Sequence, residues 1–92
     1  MDKVQKLDLM DKIQRELKDL EQSQTAVLKK VSQIAAHNIN LGAPLLDQKL
    51  PDLQESIDAN VTSITALTES FEEYRNKFFS DNNLGAKLDP TA

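Results

Sequence analysis

Cysteine and tryptophan are absent from this chain, and glycine and proline are scarce, with two and three residues among 92. Without cysteine there can be no disulfide framework, no thiolate metal site and no cysteine nucleophile. Scarce glycine and proline leave few points at which a helix must end, and the common residues Leu, Lys, Glu, Asp and Gln are ones that long helices use. The composition therefore predicts an all-α protein.

Long apolar runs and a basic stripe are missing as well. No stretch approaches the roughly 18 apolar residues of a membrane-spanning helix, and the charged first residues lead into no apolar segment typical of a secretory signal. Residues 42–92 hold nine acidic and four basic side chains, which is the wrong balance for binding nucleic acid. We expect a cytoplasmic protein without an integral membrane segment.

Two stretches carry a seven-residue repeat whose a and d positions are mostly apolar, as in coiled-coil or bundle helices. In the first stretch the a positions are Met10, Leu17, Gln24, Val31 and Asn38, and the d positions are Ile13, Leu20, Val27, Ile34 and Leu41. In the second stretch the a positions are Leu50, Ile57, Ile64, Phe71 and Phe78, and the d positions are Leu46, Leu53, Asn60, Leu67 and Tyr74. The repeat predicts two long helices.

Helix-breaking residues divide the chain between these repeats. Gly42, Pro44 and Pro51 predict helix one over about 3–40, a break over 41–50, and helix two over about 51–79. Residues 1–81 then form one helical hairpin domain, and residues 82–92, which lack a repeat, form a disordered tail. Two antiparallel registers are open: one turns at Gly42 and keeps Pro51 inside helix two, and the other has a longer loop that ends at Pro51.

The flanks of the repeat indicate that each helix touches more than one neighbour. The g positions of helix two are Ser56, Ser63, Ser70 and Lys77, where a two-stranded coiled coil normally has charges. In helix one, Leu7, Leu28 and Ala35 fall at e. The uncharged stripe is therefore wider than one seam, so we expect a hairpin within a larger coiled-coil or helical-bundle assembly. Other helical subunits are the expected partners, in a hetero-oligomer rather than a homo-oligomer.

Candidate interface and specificity residues follow from the same frame. The predicted partner interface consists of Leu28, Val61, Phe71, Tyr74, Phe78 and Phe79. Phe79, at a b position, is the best candidate for a contact outside the hairpin, because a phenyl ring supplies much buried area. The polar residues Gln24, Asn38 and Asn60 are predicted to set register and partner choice. The Gly42 register would place Gln24 opposite Asn60, where the two amides could pair.

Catalytic, cofactor and metal sites are not predicted. The single histidine, His37, has no carboxylate at helical spacing, and the sequence contains no phosphate-binding loop, catalytic triad or zinc spacing. We therefore expect a protein that is not an enzyme.

The segment Leu20-Glu21-Gln22-Ser23-Gln24, followed by Val27-Leu28, resembles the Leu-x-x-Ser-Gln-x-x-x-Leu heptads of snapin- and pallidin-like proteins. These are small coiled-coil subunits of the biogenesis of lysosome-related organelles complex. The resemblance implies a scaffold subunit of a rod-shaped hetero-oligomer in vesicle and endolysosomal trafficking, which reaches organelle membranes only through its partners. Alternative interpretations are a self-assembling hairpin, such as a homodimeric adaptor, filament or secretion-needle subunit, and a subunit of a cytoskeletal or kinetochore complex.

Overall fold

The computed structural model describes residues 1–85 and contains two long helices that form an antiparallel hairpin. Helix α1 spans Lys3–Leu41 and helix α2 spans Pro44–Asp81. The molecule measures 65 × 22 × 17 Å, and its radius of gyration is 20.2 Å. A compact domain of this length would have a radius of gyration of about 12 Å. The predicted fold class, a hairpin of two long heptad-repeat helices, is confirmed.

Helix α1 begins with a capping box. The side chain of Asp2 accepts a hydrogen bond from the Gln5 amide at 2.8 Å, and the Gln5 side chain accepts one from the Asp2 amide at 2.9 Å. These two bonds satisfy donors that have no partner within the helix, which fixes its start.

The turn between the helices is much shorter than the predicted break over 41–50. Gly42 ends α1 in the left-handed conformation, with φ 69° and ψ 34°, and its amide donates to the Asn38 carbonyl at 2.7 Å. Pro44 then starts α2, where its missing N–H would have had no partner anyway. Pro51 lies inside α2. Helix two therefore begins seven residues earlier than predicted, because a first-turn proline starts a helix as readily as it breaks one.

The contacts between the helices follow the register that turns at Gly42. The Gln14 side-chain amide donates to the Thr68 carbonyl at 3.1 Å, and the Arg75 guanidinium bonds the Asp11 carboxylate at 2.8 Å. Near the turn, Val31 is buried with Leu50 and Ile57, and the residues packed against them are Leu28, Ala35 and Leu46.

The seam within the hairpin uses the a and e positions of both helices rather than a and d. The buried or half-buried e residues include Leu7, Gln14, Leu28, Val61 and Thr68, whereas most d residues are exposed. The physical reason is the composition of the e positions. Several of them are apolar or small, so the helices bury these e residues in the seam and turn the d residues out of it; they are Leu7, Leu28, Ala35, Val61 and Thr68.

The predicted disordered tail, residues 82–92, needs correction at its start. Leu84 has no exposed surface, and Gly85 lies so close to Phe79 that an added Cβ would be 3.2 Å from the ring. Chain residues 82–85 therefore pack onto the hairpin. Residues 86–92 lie outside the described part of the chain.

Gly42→Ala is expected to lower the free energy of unfolding by about 1 kcal/mol, since a side chain disfavours the left-handed conformation. No atom lies within 4 Å of the added Cβ, so the cost is conformational and not steric. Gly42→Asn should cost less, because asparagine tolerates this conformation better. Urea denaturation of both variants checks this, and equal losses would contradict the conformational explanation.

Candidate interaction face

One side of the hairpin presents apolar side chains that no part of the described chain covers. The helices are antiparallel, so positions with the same heptad letter lie on the same side of the seam, and the d residues of α1 and α2 share one surface. We call this surface the open face. It is formed by Leu20, Val27, Ile34, Leu53, Leu67 and Tyr74, whose exposed fractions run from 39% to 61%.

Over residues 56–70 of α2, the neighbouring g and c positions on this side are small and uncharged. In α2, Ser56, Ser63 and Ser70 alternate with the d residues, and Ala59 and Ala66 lie at their edge. Small side chains allow another helix to approach closely, while the leucines between them supply apolar area. Over this stretch of α2 the open face has the alternation of large apolar and small side chains that is typical of helix packing.

The opposite side of the hairpin is highly polar. Its b and f positions include Arg15, Lys18, Lys29, Glu55, Asp58, Glu69 and Glu72, all of which are exposed. The hairpin is therefore amphipathic as a whole, with one strongly charged side suited to water and one side whose d positions form an apolar surface suited to burial.

The hairpin buries few apolar side chains of its own, so burial of the open face could contribute substantially to its stability. Within residues 1–85, the buried apolar side chains are Leu7, Val31, Leu50, Ile57 and Leu84. A domain with so small a core is marginal alone. Burial of the open face would cover several more apolar side chains, each about half exposed and so worth roughly half of the ~1.5–3 kcal/mol for burying a whole apolar side chain.

The aromatic cluster near the end of α2 is arranged differently from the prediction. Phe71 and Tyr74 stack with ring centroids 5.9 Å apart, and Tyr74 is 61% exposed on the open face. Phe79 is instead half-buried, with the Arg75 guanidinium 5.0 Å from its ring centroid. The outward-facing aromatic residue is thus Tyr74, because rotation of α2 toward its e positions turns d residues out.

The remaining predicted interface residues lie mainly within the hairpin. Leu28 is half-buried and packs against the Val31 cluster within the hairpin, and its part in binding a partner stays a prediction. Val61 and Phe78 are half-buried at seam positions.

The three predicted specificity residues occupy three different environments. Asn38 is buried and bonds both the Ala43 backbone and the Asp47 carboxylate across the turn. Gln24 is half-buried and Asn60 is exposed, and the structure contains no hydrogen bond between them. The predicted amide pair is therefore not formed, because Asn60 is a d residue and leaves the seam with the other d residues.

A polar contact that the sequence reasoning missed lies in the half of the seam that is farther from the turn. Gln14 donates to the Thr68 carbonyl, while Gln14 Oε1 is buried and accepts no hydrogen bond. Thr68 is also buried, with its hydroxyl donating to the Ile64 carbonyl at 2.8 Å. The signal that could have revealed this contact was the pairing of e positions across the helices.

Chemical groups for metal binding are dispersed over the hairpin. No group of three or more His, Cys, Asp or Glu side chains within residues 1–85 is placed to hold a metal ion. His37 is exposed near the turn. Neither described helix contains a segment apolar enough to cross a membrane.

The fold and its surface define an amphipathic helical hairpin with one exposed apolar face. No protein-family model, curated protein or solved structure matches the chain.

Proposed function

We propose that this protein is a non-catalytic assembly subunit that packs its open face against the helices of other protein chains. The main observation in support is that six large d-position residues are exposed on one side of the hairpin. The contacts within the hairpin are made by a and e residues instead. Contiguous apolar surface of this kind marks a site of protein interaction.

The resemblance to snapin- and pallidin-like subunits suggests a cellular location and process for this assembly subunit. On that basis the protein acts in the cytoplasm as a scaffold in vesicle and endolysosomal trafficking. The support for this extension is the heptad segment that begins at Leu20, two of whose apolar residues, Leu20 and Val27, lie on the open face.

Adding charge to the open face tests the proposal. Leu20→Glu combined with Leu67→Glu should weaken association at least about 100-fold, because each change removes apolar area and would bury a carboxylate. The matched control is Gln22→Glu with Thr62→Glu, which adds the same charge to exposed positions on the opposite side of the same helices. Sedimentation gives the mass, and circular dichroism gives the melting midpoint as a function of concentration.

The wild type and the control should melt at a midpoint that rises with protein concentration, since association stabilises the folded state. The open-face variant should lose that dependence. A wild-type chain that is a folded monomer with a concentration-independent midpoint, unaffected by either pair of substitutions, would contradict the proposal.

A further inference from the structure

Two charged residues at g positions of α1 lie at equal distances from Ser23, on the side of the open face. Glu16 and Lys30 both occupy g positions, and each lies seven residues from Ser23, which is also at g. All three side chains are exposed. If a second α1 ran antiparallel across this surface with Ser23 at the centre, each Glu16 would lie opposite a Lys30.

The α2 side of the open face also has a point about which an antiparallel copy of α2 could be placed symmetrically. Its uncharged g positions run from Ser56 to Ser70, and Leu53 and Leu67 flank Asn60 at equal distances along the d positions. An antiparallel copy centred between Asn60 and Ser63 would place each of these leucines against a serine of the other chain. Large side chains would then face small ones, as helix packing requires.

The two centres lie at the same level of the hairpin. The observed cross-seam pairs are residues 14 and 68, 11 and 75, and 38 and 47. By interpolation along these pairs, Ser23 lies level with the segment between Asn60 and Ser63. A single twofold axis can therefore pass through both centres. The contacts that set the hairpin register lie in the seam and at the turn, so this agreement is independent of the open face.

We infer that a second copy of this chain occupies the open face, antiparallel to the first, so that two hairpins form a four-helix bundle around this axis. The inference rests on the proposed function and names its partner. Within the bundle, Glu16 of each copy lies opposite Lys30 of the other. Lys49 also comes level with Glu73 of the other copy, which adds a second kind of complementary contact at the rim.

The size of the open face suits this assembly. From Leu53 to Tyr74 the open face runs for about 30 Å of helix at ~1.5 Å per residue. The hairpin is 22 Å across its wider section. The resulting footprint is close to the ~800 Å² per partner that stable complexes bury.

Cysteine cross-linking tests the position of the axis, and the chain has no native cysteine to interfere. Ser23→Cys should form a disulfide-linked dimer readily under mild oxidation, because the axis brings the two residues at position 23 together. Ser32→Cys, an exposed residue on the other side of α1, is the control and should cross-link slowly. Equal rates for the two variants would overturn the inference.

Charge exchange tests the orientation of the two copies. Glu16→Lys and Lys30→Glu should each weaken self-association roughly tenfold, because two attractive pairs become repulsive in each homodimer. An equimolar mixture of the two variants should associate like the wild type, since both pairs are attractive again in the mixed dimer. Circular dichroism on each variant checks that the helices are retained.

The remaining outcomes separate this inference from the proposed function. Cross-linking of a Ser23→Cys chain to an Asn60→Cys chain, without linkage of the Ser23→Cys chain to itself, would indicate parallel hairpins and overturn the antiparallel arrangement. A wild type that is monomeric and poorly helical until another protein is added would overturn the inferred homodimer but remain consistent with the proposed assembly subunit. A stable, concentration-independent monomer would overturn both.

Discussion

Replacing Leu84 with Ala is expected to lower the free energy of unfolding by about 2–4 kcal/mol, the range for truncating a buried leucine. Leu84 has no exposed surface, and the antiparallel topology brings the residues after α2 to the end of the hairpin where α1 begins. Leu7, at that same end, is 2% exposed. These are the largest fully buried side chains in the described chain, so this end depends on them. Chemical denaturation measures the loss.

Leu45→Ala is the matched control, because Leu45 is 65% exposed and the chemical change is the same. It should alter the unfolding free energy by less than about 0.5 kcal/mol, as is usual for surface substitutions. A chain that ends at residue 81 should lose at least as much stability as Leu84→Ala. Wild-type stability in that truncated chain would show that residues 82–85 add nothing to the fold, and would favour the sequence-based prediction of a disordered tail.

The two helices and their antiparallel arrangement could be predicted from the sequence because they depend on repeats and breakers alone. The apolar spacing from Met10 to Leu41 suits one face of a helix whatever lies opposite, and Gly42 supplies the left-handed residue that ends it. The start of α2 was less predictable, because proline is acceptable in a first turn and costly only in the interior. Two prolines seven residues apart leave that choice open, and tertiary contacts decide it.

The faces that meet within the hairpin could not be assigned from the heptad rule. That rule expects a and d residues in the seam, yet Ala35 and Thr68 at e positions allow closer approach there than the d residues do. Because e replaces d in the seam, Tyr74 and Asn60 are exposed. The same replacement packs Leu28 against the core.

The existence of an unfilled face, by contrast, was visible in the sequence. The serines at positions 56, 63 and 70 stand where a two-stranded coiled coil would have charges, and they predicted an uncharged stripe wider than one seam. The position of that face required the structure, because a wide stripe can be divided between an internal seam and an external face in more than one way. Burial of Leu84 had no sequence signal, since it follows the turn residues Asn82 and Asn83 and belongs to no repeat.

Asn38→Ala is expected to cost about 2–3 kcal/mol of unfolding free energy, because a buried amide that bonds a charged group is removed together with its backbone contacts. Asn38 Nδ2 donates to an Asp47 carboxylate oxygen at 2.8 Å and to the Ala43 carbonyl at 3.3 Å, and Asn38 Oδ1 accepts from the Ala43 amide at 2.8 Å. One side chain thus joins the end of α1 to the start of α2. Asn40→Ala, an exposed change two residues away, should cost less than about 0.5 kcal/mol.

An exchange of the two bonded side chains tests whether the contact itself matters. Asn38→Asp should destabilise as much as Asn38→Ala, since it places two carboxylates together and removes the donor to Asp47. Adding Asp47→Asn should recover about half of the loss, because an amide at position 47 can donate to the carboxylate at 38. Full recovery is not expected: a carboxylate then lies at the negative end of the α1 dipole, and the acidic residue in the first turn of α2 is lost. Strictly additive effects in this double-mutant cycle, measured by urea denaturation, would show that the turn is held by Gly42 and Pro44 alone.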